Sequence, residues 1–115
     1  MSVPLSQAQA ELFRLLGHPV RIRVLELLQN GPRPVRDLLP TLDVEPPGLS
    51  QHLAALRRSG LVTARREGAT VVYALAGKKV TDLLRAAREL LTETLSGQNE
   101  LLSELLQARA QDDAP

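Results

Sequence analysis

Between Leu61 and Leu75 the apolar residues of this chain stop recurring every three to four positions and begin to alternate. Val62, Ala64 and Arg66 alternate with Thr63, Arg65 and Glu67. After Glu67-Gly68-Ala69, Val71, Tyr73 and Leu75 alternate with Thr70, Val72 and Ala74. A period of two puts successive side chains on opposite faces of a strand, and two such runs around a glycine-containing turn predict a hairpin. The segments on either side keep helical spacing. The predicted fold class is therefore mainly α, with a two-stranded β element between four helices and a C-terminal helical stretch.

The helices are delimited by local signals. Ser6 to Leu16 reads as a first helix, with Ser6 and Gln9 in capping-box spacing and Ala8, Leu12, Leu15 and Leu16 as its apolar stripe. Gly17-His18-Pro19 interrupts, with His18 read as a cap or packing residue. Pro19 opens a second helix to about Gln29, closed by Asn30-Gly31-Pro32. A third helix is predicted from Pro34 to about Leu42, with Val35, Leu38, Leu39 and Leu42 inward and Pro40 shortening or distorting its end. Pro46-Pro47 starts a fourth, roughly 47–58, with Leu49, Leu53 and Leu56 packed down and Ser59-Gly60 as its stop. From Lys78 helical spacing returns through Leu106, with Gly97 either separating two helices or weakening one. Residues 1–95 are predicted to be one domain, and 96–115 a helical extension ending in a frayed polar tail.

Composition removes several functions. The chain has no cysteine and only two histidines, His18 and His52, so thiol chemistry, disulfides and cysteine-based metal sites are excluded. One Phe, one Tyr and no Trp argue against a stacking platform for single strands. No run reaches the roughly 18 apolar residues that would cross a bilayer, and the N-terminus lacks a signal-peptide pattern. A cytoplasmic protein with no membrane partner is expected. No phosphate-cradling glycine motif or acid–base pair marks an enzyme, and Ser50 and His52 lie about 200° apart around a helix. Residues 1–76 carry a balance of +3 and residues 77–115 one of −2, which suggests a basic working surface and an acidic helical remainder.

Helix three, a short turn and helix four form a helix-turn-helix. The outer side of helix four carries Pro47, Gln51, Ala54, Ala55 and Arg58, small and polar enough to enter a major groove about 12 Å wide. Its N-terminus, around Pro47 and Gly48, should offer free N–H groups to phosphate. Gln51 is the candidate for base readout, because an amide pairs with adenine N6/N7. Arg57 and Arg58 either touch phosphate or complement the helix dipole. Arg65 and Arg66 either reach the DNA backbone from the hairpin or form a salt bridge along it, for instance to Glu67. The whole reads as a winged helix-turn-helix.

Three segments carry a resemblance. Leu12 to Leu28 (LFRLLGHPVRIRVLELL), Leu49 to Val62 (LSQHLAALRRSGLV) and Arg65-Arg66-Glu67-Gly68 followed by Val72-Tyr73-Ala74-Leu75 resemble, in order, the entry helices, recognition helix and wing of the ArsR/SmtB family of bacterial transcriptional repressors. The resemblance spans roughly residues 8–95. It implies that Ser50 and His52 lie at the DNA surface; the alternative for His52 is a helix-surface histidine with a purely structural hydrogen bond. It also implies a homodimer joined through the first and last helices, here Leu5, Leu12, Leu16, Leu83, Leu84, Ala87, Leu90, Leu91 and Leu95. Its two reading helices would enter successive major grooves of a palindromic operator, 34–36 Å apart.

The chain departs from that family in its sensing chemistry. Where members carry a Cys pair on helix three, this sequence has Arg33-Pro34-Val35-Arg36-Asp37-Leu38-Leu39. Where others use His and carboxylates on the last helix, it has Asp82, Glu89 and Glu93 without His. No cofactor is evident; a metal effector bound in some other way, including one between subunits at His18, stays open. The leading expectation is a repressor that binds double-stranded operator DNA. The alternative is a winged-helix interaction module whose signal is sensed by a partner protein.

Overall fold

The computed structural model describes residues 4–95 and 99–112. These fall into two compact units that divide between Thr81 and Asp82. The first unit holds α1 (Leu5–Leu16), α2 (Pro19–Leu28), β1 (Arg33–Pro34), α3 (Val35–Leu38), α4 (Pro46–Arg58), β2 (Val62–Glu67) and β3 (Thr70–Leu75). The apolar run after Lys78 forms two helices, α5 (Lys79–Thr94) and α6 (Asn99–Asp112). Gly97, the expected weak point, lies outside the described residues, as do the last three residues of the tail.

The core of the first unit is aliphatic. Val24 and Leu25 of α2, Leu38 of α3, Leu49, Leu53 and Leu56 of α4, and Val62 of β2 are all 2 % exposed or less. Each such side chain contributes about 1.5–3 kcal/mol by leaving water. Together they bind α4 to α2 and to β2.

Three local expectations are corrected, and the distortion expected at Pro40 is present. The start of α1 is capped by Pro4, not Ser6: the Pro4 carbonyl accepts from the N–H groups of Gln7 and Ala8 at 3.0 and 3.1 Å. Ser6 therefore sits inside the first turn, two residues past the cap position. The third helix is a single α turn followed by a 3-10 turn over Leu39–Thr41. Pro40 cannot donate to the carbonyl four residues back and its ring crowds that turn, so the chain tightens instead. Val35, expected inward, is 37 % exposed. Ala55, expected on the outer side of α4, is buried.

The hairpin forms in the expected register, with Val62 opposite Leu75 and Glu67 opposite Thr70. Its two-residue loop is Gly68-Ala69. Gly68 takes a φ of +62° while Ala69 stays negative, the pattern of a II′ turn, which needs glycine first. A third strand was not expected. Arg33 and Pro34 pair with Tyr73 and Val72, giving the order β1-β3-β2 with β3 central. Two residues show no period, and Pro34 fits an edge where no N–H is required.

α4 ends in a Schellman motif. Leu61 N–H donates to the Leu56 carbonyl at 3.1 Å and Gly60 N–H to Arg57 at 3.0 Å. Gly60 supplies the left-handed residue at φ +80°. This stop turns the chain directly from α4 into β2, and so fixes the wing beside the helix.

Candidate nucleic-acid interface

The amphipathic pattern of α4 leaves one face uncovered. Ser50, Ala54, Arg57 and Arg58, spaced i, i+4, i+7 and i+8, line a shallow groove of about 460 Å³ with Tyr73 of β3. Gln51, Arg57 and Arg58 are exposed, and among the described residues their side chains have no hydrogen-bond or ion-pair partner. The helix therefore presents small residues along its middle and two guanidinium groups at its end.

The N-terminus of α4 offers less to phosphate than the sequence suggested. The helix starts at Pro46, so its first two residues are prolines without N–H groups. The first intrahelical bond is Leu49 N–H to the Glu45 carbonyl at 3.0 Å, which leaves Gly48 as the one first-turn residue with an open N–H. Pro47 is exposed beside it. A Cβ on Gly48 would come within 2.9 Å of Val44 Cγ2, so the glycine also lets α4 lie close to the preceding turn.

On the wing, Arg65 and Arg66 project to opposite faces. Arg65 stands opposite Val72 and is held by Glu67, with Nε and Nη2 lying 2.8 and 2.6 Å from Oε1. Arg66 lies on the same face as Ala64 and Tyr73, toward the α4 groove, and has no ion pair among the described residues. Sequence reasoning missed Arg36, which donates from Nη1 to Thr70 Oγ1 at 3.3 Å and adds a third guanidinium at the wing. Its position inside the expected third helix concealed that contact.

His52 faces α2. Its Nδ1 accepts from Arg21 Nε at 3.1 Å, and its ring lies 4.1 Å from that of His18, tilted by 52°. Arg21 also donates from Nη1 to the Leu15 carbonyl at 3.1 Å, and His18 Nδ1 caps α2 by accepting from Val20 N–H at 3.2 Å. Both Nδ1 atoms act as acceptors, so in the neutral rings the proton sits on Nε2. Among the described residues no group of three or more His, Cys, Asp or Glu is placed to hold a metal.

Burial holds the His52 pKa below its ordinary value of 6.5, and His18 and then Arg21 act in the same direction. The unfolded chain therefore takes up the proton first as pH falls. Stability is full above pH 6.5 and declines from there down to the lowered folded value. The melting temperature of wild type is expected to drop between pH 7.5 and 5.5, and His52→Gln to remove part of that slope. An unchanged slope in the variant would contradict the assignment.

The residues expected at a subunit interface differ in exposure. Leu5 on α1 and Leu90 and Leu91 on α5 are 74 %, 60 % and 43 % exposed. Ala87 is also exposed, while Leu12, Leu83 and Leu95 are half-buried. Leu16 and Leu84 are already buried in the single chain. Phe13, the one Phe, was not singled out, yet it is 59 % exposed on α1. It lies off the Leu12–Leu16 stripe, which was the available signal. No described helix is long and apolar enough to cross a membrane.

Known proteins match this geometry. Residues 18–64 fit the family model described as bacterial regulatory protein, arsR family. The chain is 43 % identical over 105 residues, 90 % of its length and 92 % of the other, to the uncharacterized HTH-type transcriptional regulator Rv0081 of Mycobacterium tuberculosis. The crystal structure of Rv0081 superposes with a TM-score of 0.77, covering 84 % of this chain and 98 % of that one at 44 % identity. The transcriptional repressor SmtB of the same organism is 44 % identical over 69 residues, 60 % of this chain and 51 % of its own. The solution structure of the homodimeric winged helix-turn-helix DNA-binding domain Mb0332 of Mycobacterium bovis aligns with a TM-score of 0.65 at 30 % identity, over 83 % of this chain and 94 % of that one. By fold and by sequence, this chain belongs to the ArsR family of winged helix-turn-helix, DNA-binding transcriptional regulators.

Proposed function

We propose that the protein represses transcription as a homodimer bound to a palindromic operator, in the cytoplasm. The observation that carries this reading is the uncovered face of α4: small, polar, rimmed by Arg57 and Arg58, and flanked by the exposed Arg66 of the wing. The repressor assignment draws on the SmtB likeness, and the homodimer on the Mb0332 likeness. Gln51 reads bases. Ser50, Arg57, Arg58, Arg66 and the Gly48 N–H hold phosphates and set the register. His52 contributes through its Nε2–H, and Arg65 only after exchanging Glu67 for a phosphate.

Base readers and phosphate holders separate by experiment. Binding is measured by fluorescence anisotropy on a duplex selected from a random pool and on a scrambled one. Gln51→Ala should reduce discrimination between them by about 1–3 kcal/mol. Arg66→Ala should weaken both alike and lower the salt slope by about 1. Equal losses on both duplexes for Gln51→Ala would remove it from base readout.

A further inference from the structure

We propose that Arg21 is a positioning residue for DNA recognition, which suspends the reading helix from the end of α1 through His52. This rests on the reading of α4 as the DNA-binding helix. One guanidinium makes both links: Nη1 donates to the Leu15 carbonyl at the end of α1, and Nε donates to His52 Nδ1 in the middle of α4. His52 sits between Gln51 and Leu53, so its placement sets the rotation of the residues that face the groove. Arg21 itself projects from α2, and no part of it belongs to the exposed face of α4.

The link works in only one protonation state. Nδ1 must keep its lone pair to accept from Arg21, and a doubly protonated ring cannot do so. Among the described residues no carboxylate acts on His52 to compensate. The charges acting on His52 are His18 and Arg21. On α2, Arg23 is paired with Glu26 at 3.8 Å. On β2, which also packs against α4, Arg65 and Glu67 pair with each other and Arg66 is exposed. Protonation therefore puts a second cation against Arg21 and releases α4 from α1.

The sign of the pH effect separates this role from simple electrostatics. Added positive charge alone tightens binding to any DNA as pH falls. Loss of the Arg21 link weakens binding to the selected duplex instead. Full-length wild type, Arg21→Met, Arg21→Lys and His52→Asn are titrated with the selected and scrambled duplexes from pH 8 to pH 5.5, with circular dichroism confirming that each is folded. Asn keeps an acceptor near the position of Nδ1 but does not titrate.

Wild type should lose about tenfold in affinity for the selected duplex over this range, the equivalent of one hydrogen bond to a charged donor, and should hold or gain on the scrambled one. Arg21→Met should already be about tenfold weaker at pH 8 and should show no further fall. Arg21→Lys should recover part of the loss, and His52→Asn should have a flat profile whatever its absolute affinity. The proposal is overturned if folded Arg21→Met matches wild type at pH 8, or if Arg21→Met or His52→Asn keeps the wild-type pH profile. Wild type that binds and discriminates normally while these variants behave so defeats only the role of Arg21. Wild type that binds no duplex at any pH defeats the DNA reading as well.

Discussion

Leu53→Ala is expected to remove about 3 kcal/mol of folding free energy, within the 2–5 kcal/mol typical of a buried leucine truncated to alanine. Leu53 is 1 % exposed and lies on the inner face of α4, where that helix rests on α2 and β2. The loss combines the transfer of the missing carbons with the cavity they leave, and a close-packed core made almost entirely of Leu and Val has little freedom to fill it. In urea the midpoint should fall by roughly 2 M for a chain of this size. Leu106→Ala, on an exposed side chain of α6, should stay within about 0.5 kcal/mol of wild type. Similar midpoints for the two variants would mean that α4 is not the centre of the core.

The second large effect concerns assembly. Leu90→Glu combined with Leu91→Glu should convert a particle of twice the 12.5 kDa chain mass into a single chain, read by size-exclusion chromatography with light scattering. Both side chains are open to solvent in the single chain, and neighbouring exposed leucines near a helix end are unusual unless something covers them. Burying two carboxylates against their symmetry mates would cost far more than exposing the leucines. Operator binding should weaken by at least about a hundredfold, because one reading helix would no longer deliver the second to its half-site. A double variant that stays dimeric would move the interface to another surface, with Leu5 and Phe13 of α1 the next to test.

Local rules explain what the sequence disclosed. The change of period at Leu61 marked the wing, and Gly60 and Gly68 marked its two ends because each needs a left-handed backbone. The leucines at 49, 53 and 56 gave the buried face of α4 and, by difference, its free one. One error came from competing local signals: Ser6 matched a capping pattern, but Pro4 started the helix first. Contacts distant in sequence stayed hidden. Arg21 and His52 are 31 residues apart, and Arg36 and Thr70 are 34 apart, so no spacing could pair them. The Arg65–Glu67 pair was legible as an alternative, because residues two apart on a strand share a face.

On the proposed function, α4 and the wing read double-stranded DNA in two copies. Selection of bound duplexes from a random pool, at low salt and with the unmodified chain, tests it most directly. The expected result is enrichment of an inverted repeat whose half-site centres lie 10–10.5 base pairs apart or a multiple of that, with affinity falling steeply as salt rises. Recovery of a pool that stays random, or no retained duplex even at low salt, would contradict it.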